Sequence, residues 1–433
     1  MITKARVFMV LVSLVIIITF VLIAFASYSQ AAAPVVKLTV WDIAENEEYV
    51  LWWKDYVKEF NKANPNIKVT WENFESEAYK RKIQSALVAG TQPDIFYTIP
   101  GDTAFKQYSK GKMLAIQDLY GIWPYTDVGK AGCSFNGKMV CHPLYLSISS
   151  FYYNKAQFAK AGIDPQKWVN PIQPTWNEFI TACNKLKDSG FIPIALGNKP
   201  SWPFLVYIWG AQNRFGGTKE FLDVLSGASS YTAPGFLKGA EIAQFLAKSD
   251  YFPKGFNGIG GDDKYIMFTQ GNGAMFYYGP WVINTIYANA PQGFEFGMFK
   301  YPSFPDGNPD SQSDIEGGID ALWVSSTTKH PEAVAKFLQP LTTIDNALLF
   351  MEKTKFIPAI KGIAEKAKIA NIDPVVLTLL QYSQEAKHIY PWWDWAMPAP
   401  VAEEMLNMSQ PLSMGMITPE EFCERLSAKA QQK

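Results

Sequence analysis

The segment 136–184 carries more turn and cap signals in fixed order than any other part of the chain. Asn136-Gly137 lies between two apolar stretches, and this pair supplies the positive φ angles of a type I′ hairpin. Residues 144–153 alternate small polar with bulky side chains and read as an extended strand. A short helix is predicted over 155–161, with Asn154 as N-cap and Gly162 as its stop. Thr175 opens a longer helix, and Glu178 three residues on completes a capping box. Upstream, 37–41 and 67–71 alternate like strands, 47–63 and 78–89 carry apolar residues at helical spacing, and 94–97 is a short buried strand. Strand and helix in strict alternation imply right-handed crossovers and a parallel sheet covered on both faces.

At 433 residues the chain is too long for one core and suits two lobes. Its 39 Lys+Arg against 40 Asp+Glu leave no basic face, which argues against nucleic acid as a partner. Aromatic residues make up 15% and include 14 Trp, enough either for a heavily aromatic core or for a stacking surface that suits sugar rings. Lys4 and Arg6 precede an uncharged run over 7–26, and small residues follow at 29–33. This is the pattern of a signal peptide over 1–33. The run is also long enough to act as an uncleaved anchor. Export permits disulfides, and Cys133 and Cys141 flank the Asn136-Gly137 turn as a candidate cross-strand pair. Cys183 and Cys423 read as buried thiols.

The succession NGKMVCHPLYLSISSFYYNKAQFAKAGIDP, then PTWNEF, resembles the family 1 extracellular solute-binding proteins of ABC importers, a group that includes maltodextrin-binding protein. FTQGNGAMFYYGPW at 268–281 and EGGIDALWVS at 316–325 match two further elements of that family, and the resemblance runs from about 37 to 426. It implies a periplasmic-binding-protein-like α/β fold: two lobes joined by a multi-strand hinge, with a ligand cleft between them. On this reading 35–146 plus 316–347 form the first lobe, and 147–315 plus 348–433 the second. The implied activity is non-catalytic capture of a sugar or oligosaccharide by a monomer, for delivery to membrane permease subunits. No cofactor is expected.

Ligands of open α/β sheets bind beyond the carboxyl ends of strands. That rule points to Trp41-Asp42, to Glu72-Asn73, and to Tyr97 with the loop ending at Asp102, although Asp102 serves equally well as a helix cap. The resemblance puts Trp281 beside the cleft at a helix start. It also brings the late segment 390–395 to the cleft, where Trp392 and Trp393 are the candidates, since tryptophans adjacent on a helix diverge by about 100°. Trp202, between Ser201 and Pro203, is a further aromatic candidate. Polar candidates are Asp42, Asp102, Ser147 and Asp320, the last following a glycine pair that lets backbone approach a ligand closely. Maltodextrin-binding relatives carry a carboxylate near where Ser147 falls, so its absence argues against maltodextrin itself.

Other chemistry finds little support. The stretch 132–139 nearly spells a P-loop but ends in Met where Ser or Thr would hold magnesium. The three histidines show no metal spacing, and no GxSxG elbow exists. The competing readings are a secreted glycoside hydrolase, which needs two facing carboxylates, and the same fold carrying glycerol phosphate, a polyamine or ferric ion.

Overall fold

A computed structural model describes residues 34–121, 123–168 and 173–432, and the side chain of Asp102 is not among the described ones. The expected signal segment 1–33 therefore lies outside the described residues. Two sheets organise the rest. The larger has strand order β13-β7-β12-β3-β1-β2, with two short strands, β4 (Met113–Leu114) and β14 (Ile389–Tyr390), both on β12.

Strands β1 (Val36–Ile43), β2 (Ile67–Phe74) and β3 (Ile95–Tyr97) pair in parallel. The crossover from β1 to β2 is helix Glu47–Ala63, whose N-cap Asn46 accepts from the Tyr49 amide. Its Tyr49, Trp52, Trp53, Val57 and Phe60 form one buried stripe, the spacing that the sequence pattern required. Helix Ser76–Ala89 covers the next crossover and stops at Gly90, whose φ of 72° is the left-handed cap.

The hairpin of β5 (Ser134–Phe135) and β6 (Lys138–Met139) turns at Asn136 and Gly137, with φ of 51° and 76°, as type I′ geometry demands. No disulfide closes it. All four cysteines are free and buried, and the Cys141 Sγ lies 3.9 Å from the Cys133 carbonyl oxygen.

Strand β7 (His142–Ile148) is buried along its whole length and pairs antiparallel with β12 (Ile315–Ser325). One residue after β7 ends, β8 (Ser150–Asn154) opens the smaller sheet, of order β11-β8-β10-β9, with β9 at Ile192–Ile194 and β10 at Gly273–Tyr278. The chain thus leaves the larger sheet at Ser149 and returns between β11 (Phe296–Phe299) and β12. The Ser149 amide donates to the Glu316 carbonyl at 2.9 Å, holding both crossings side by side. The return loop is pinned by fully buried Arg214. Its guanidinium donates to the carbonyls of Tyr301, Pro302 and Ser311 at 2.9–3.2 Å, so the buried charge is surrounded by acceptors.

Helix Ile344–Thr354 and β13 (Ile357–Pro358) pack with the larger sheet, where Phe350 meets Trp52 at 4.8 Å and β13 pairs with β7. Phe350 and Phe356 also cover Tyr49 of helix Glu47–Ala63, edge to face. Helix Trp202–Ser226 is kinked at Gly217, whose φ is 72°.

The capping box at Thr175 is complete: Thr175 Oγ1 accepts from the Glu178 amide, and the Glu178 carboxylate accepts from the Thr175 amide at 2.7 Å. Thr175→Ala should cost about 1 kcal/mol in urea-induced unfolding, whereas Thr175→Ser should change it by a few tenths.

Candidate functional site

Between the two sheets lies a cavity of about 570 Å³, lined from both lobes. The first lobe supplies Glu45, Asn46, Glu75, Lys80, Tyr97 and Asp320; the second supplies Trp202, Tyr278 and Trp281; the late segment adds Trp392, Asp394 and Trp395.

One wall is aromatic. Trp202 stacks on Tyr278 with ring centres 4.8 Å apart, and Trp281 stands edge-on to Tyr278 at 5.2 Å and to Trp392 at 6.0 Å. Local sequence makes this possible. A Cβ on Gly279 would sit 1.9 Å from the Trp281 ring, so only glycine lets that indole fold back over the chain. Trp281 is the N-cap of helix Val282–Asn289 rather than following a helical Pro280. Its carbonyl accepts from Asn46 Nδ2 at 3.1 Å, a direct bond between the lobes.

The facing wall carries acids. Asp320 sits on β12, accepts from the Tyr97 hydroxyl and is only 2% exposed. Burial lifts its carboxyl to about 7, against the pull of the Tyr97 hydroxyl and, more weakly, that of Ser147. Glu45 accepts from the Tyr145 hydroxyl at 3.0 Å, and burial together with the charge of Asp320 holds its carboxyl well above the usual range. Lys80 bridges Glu77 and Asp394, 2.9 Å from each carboxylate, with its ammonium 4.5 Å from the Trp395 ring centre.

Of the sequence candidates, the structure brings Tyr97, Trp202, Trp281, Asp320 and Trp392 to the cavity. Four others do not line it. Asp42 is fully buried beneath the first lobe, accepting from the Tyr49 hydroxyl and its neighbour Ile43's amide at 2.8 Å each, and burial lifts its carboxyl to about 7. Trp41 packs its ring against Phe74 and under Lys82. Ser147 is buried on β7, behind Asp320. Trp393 is enclosed by Phe221, Phe236 and Trp209. Asp102 begins helix Asp102–Ser109, and its side chain lies outside the described residues.

β1 and β2 run on to Ile43 and Phe74, two and three residues beyond where alternation fades, so the residues past their carboxyl ends are Glu45 and Glu75, not Asp42 and Asn73. Trp392 has an extended backbone ahead of a four-residue helix, so helical divergence does not separate it from Trp393. Trp395, which the sequence reading passed over, shares the cavity with it.

A family description, bacterial extracellular solute-binding protein, matches residues 44–347, well over half of the chain. The chain belongs to that family. Among relatives of this solute-binding protein is the multiple sugar-binding protein of Streptococcus mutans, 25% identical over 87% of this chain and 86% of its own length. The sn-glycerol-3-phosphate-binding periplasmic protein of Shigella dysenteriae is 26% identical over 70% of each. A structure solved in work on xylan utilization by Caldanaerobius polysaccharolyticus superposes with a TM-score of 0.81 at 25% identity, covering 91% of this chain and all of the other. Among the described residues of the solute-binding protein, no helix is long and apolar enough to cross a membrane.

Behind Trp392, where the crossing strands meet, Glu316 is fully buried. Burial lifts its carboxyl to about 8, with Ser149, Trp392 and Tyr277 pulling it part-way back and Asp394 pushing it further up. A carboxyl with a raised folded pKa keeps its proton longer folded than unfolded, so its contribution favours folding less as pH climbs. Relative to the parent chain, Glu316→Gln should therefore gain stability progressively from pH 4.5 to about 8 and level off above; chemical denaturation across that range reads the difference.

Proposed function

We propose that this solute-binding protein captures a saccharide between its lobes and presents the closed, loaded form to the permease subunits of an ABC importer. It acts as a monomer and without catalysis. The observation that carries the reading is the pairing of walls: Trp202, Tyr278, Trp281 and Trp392 on one side, the Asp320 and Glu45 carboxylates on the other. A pyranose offers an apolar C–H face to the rings and hydroxyl donors to the acids. Its relative named for multiple sugars supports the same cargo.

A phosphate ester fits poorly. Six carboxylates line the cavity, those of Glu45, Glu75, Glu77, Asp262, Asp320 and Asp394. Lys80, the one Lys or Arg among the described lining residues, already bridges two of them. An anionic cargo would meet repulsion with no free cation to offset it. Closure follows from a ligand touching both lobes, which favours the closed members of a population the free protein already samples.

Titration calorimetry against mono-, di- and oligosaccharides should find saturable binding with the sugar recovered unchanged, and none with glycerol 3-phosphate. New reducing ends would instead make the protein a glycoside hydrolase. Trp281→Ala should weaken binding about tenfold to a hundredfold, the loss of roughly 1.5–3 kcal/mol of aromatic contact. Trp41→Ala, whose ring lies outside the cavity, should bind as the parent does.

A further inference from the structure

We propose that the solute this cleft selects carries a protonated amine, an amino saccharide, with the ammonium held by Asp320 and Glu45 against the aromatic wall. This rests on the saccharide reading above and narrows it.

The carboxylates of the cavity divide into those already answered and those not. Lys80 bridges Glu77 and Asp394, so each already has a cationic partner. Glu75 is spent on the start of helix Ser76–Ala89, accepting from the Glu77 and Ala78 amides at 3.1 and 2.9 Å. Asp262 acts on buried Lys264, whose ammonium burial pushes down to about 7 and the charge of Asp262 pulls part-way back. Glu45 and Asp320 remain. Each accepts from one tyrosine hydroxyl, and each is close enough to act on the other electrostatically. Asp320 lines the cavity at 2% exposure, and its Oδ2 has no hydrogen-bond partner among the described residues. A buried acceptor left in this state calls for a donor from the solute.

The charge of that donor decides the class. A neutral sugar hydroxyl would answer Oδ2 but leave the charge of the pair unmet, whereas an ammonium answers the acceptor and one carboxylate charge, drawing back down the Asp320 carboxyl that burial has raised to about 7. The facing rings suit the same cation. The Trp395 ring centre lies 4.5 Å from the Lys80 ammonium, so a ring of this cavity already seats a cation. Tyr278 and Glu45 line the same cavity, which puts ring and acid within one site.

Calorimetry near neutral pH, with glucosamine, N-acetylglucosamine, glucose and their β-linked disaccharides as probes, tests this. The free-amine forms should bind about tenfold or more tighter than their acetylated and hydroxyl counterparts, the increment of a charge-assisted hydrogen bond. Asp320→Asn should weaken binding of every saccharide but lower the amine forms about tenfold more than the neutral ones, removing the preference, and Glu45→Gln should act in the same direction if the first variant fails to fold. Neutral or acetylated sugars binding as tightly as amines would overturn the proposal alone and leave saccharide capture standing. So would an Asp320→Asn loss equal for every probe. Putrescine binding with no saccharide binding would overturn both readings.

Discussion

The antiparallel seam between β7 and β12 is the constraint on which the rest of the molecule depends. It lies inside the larger sheet, yet its ends are the two places where the chain passes to the smaller one. Gly317 and Gly318 sit opposite Ile148 and Ser147 at those ends. A Cβ on Gly317 would meet the Ser147 carbonyl oxygen at 2.3 Å, and one on Gly318 would press on the Trp392 ring at 3.4 Å. The absence of two side chains lets strands and indole share this space. It also sets Asp320, two residues along, at the cavity wall.

Around that seam the cleft is built in layers. Side chains that face the cavity are held by buried groups that do not: Tyr145 and Tyr97 donate to Glu45 and Asp320, while Asp42 receives the hydroxyl of Tyr49 from the helix beneath. A buried carboxylate is costly without such donors, and each tyrosine both fills core volume and supplies one. The large aromatic content is thereby divided. Trp53, Trp323 and Trp393 are core, Trp202, Trp281, Trp392 and Trp395 face the cavity, and fully buried Trp209 also lines it.

Much of the fold was legible because its signals are local. Asn136-Gly137, the Thr175–Glu178 box and the stripe from Tyr49 to Phe60 act over a few residues, and each formed where it was expected. The aromatic wall was partly legible through Trp281, whose preceding glycine and proline mark a tight turn into a helix. Glu45 and Glu75 escaped notice because strand ends depend on cross-strand pairing, which alternation along one strand does not report.

The sequence by itself determined the alternation of strand and helix and the hairpin and helix caps, since periodicity and turn chemistry are carried by neighbouring residues, and its resemblance to a known family implied the two-lobed class. Tertiary structure alone decided which acids and indoles meet. Asp42 and Asp320 are the same residue type at strand positions, yet packing seals one beneath a helix and leaves the other at a cavity with an unanswered oxygen. Trp392 and Trp393 are adjacent in sequence, yet one faces the cleft and the other joins the Phe221 and Phe236 cluster. Burial is a property of what packs against a residue from distant parts of the chain, and no local pattern encodes it.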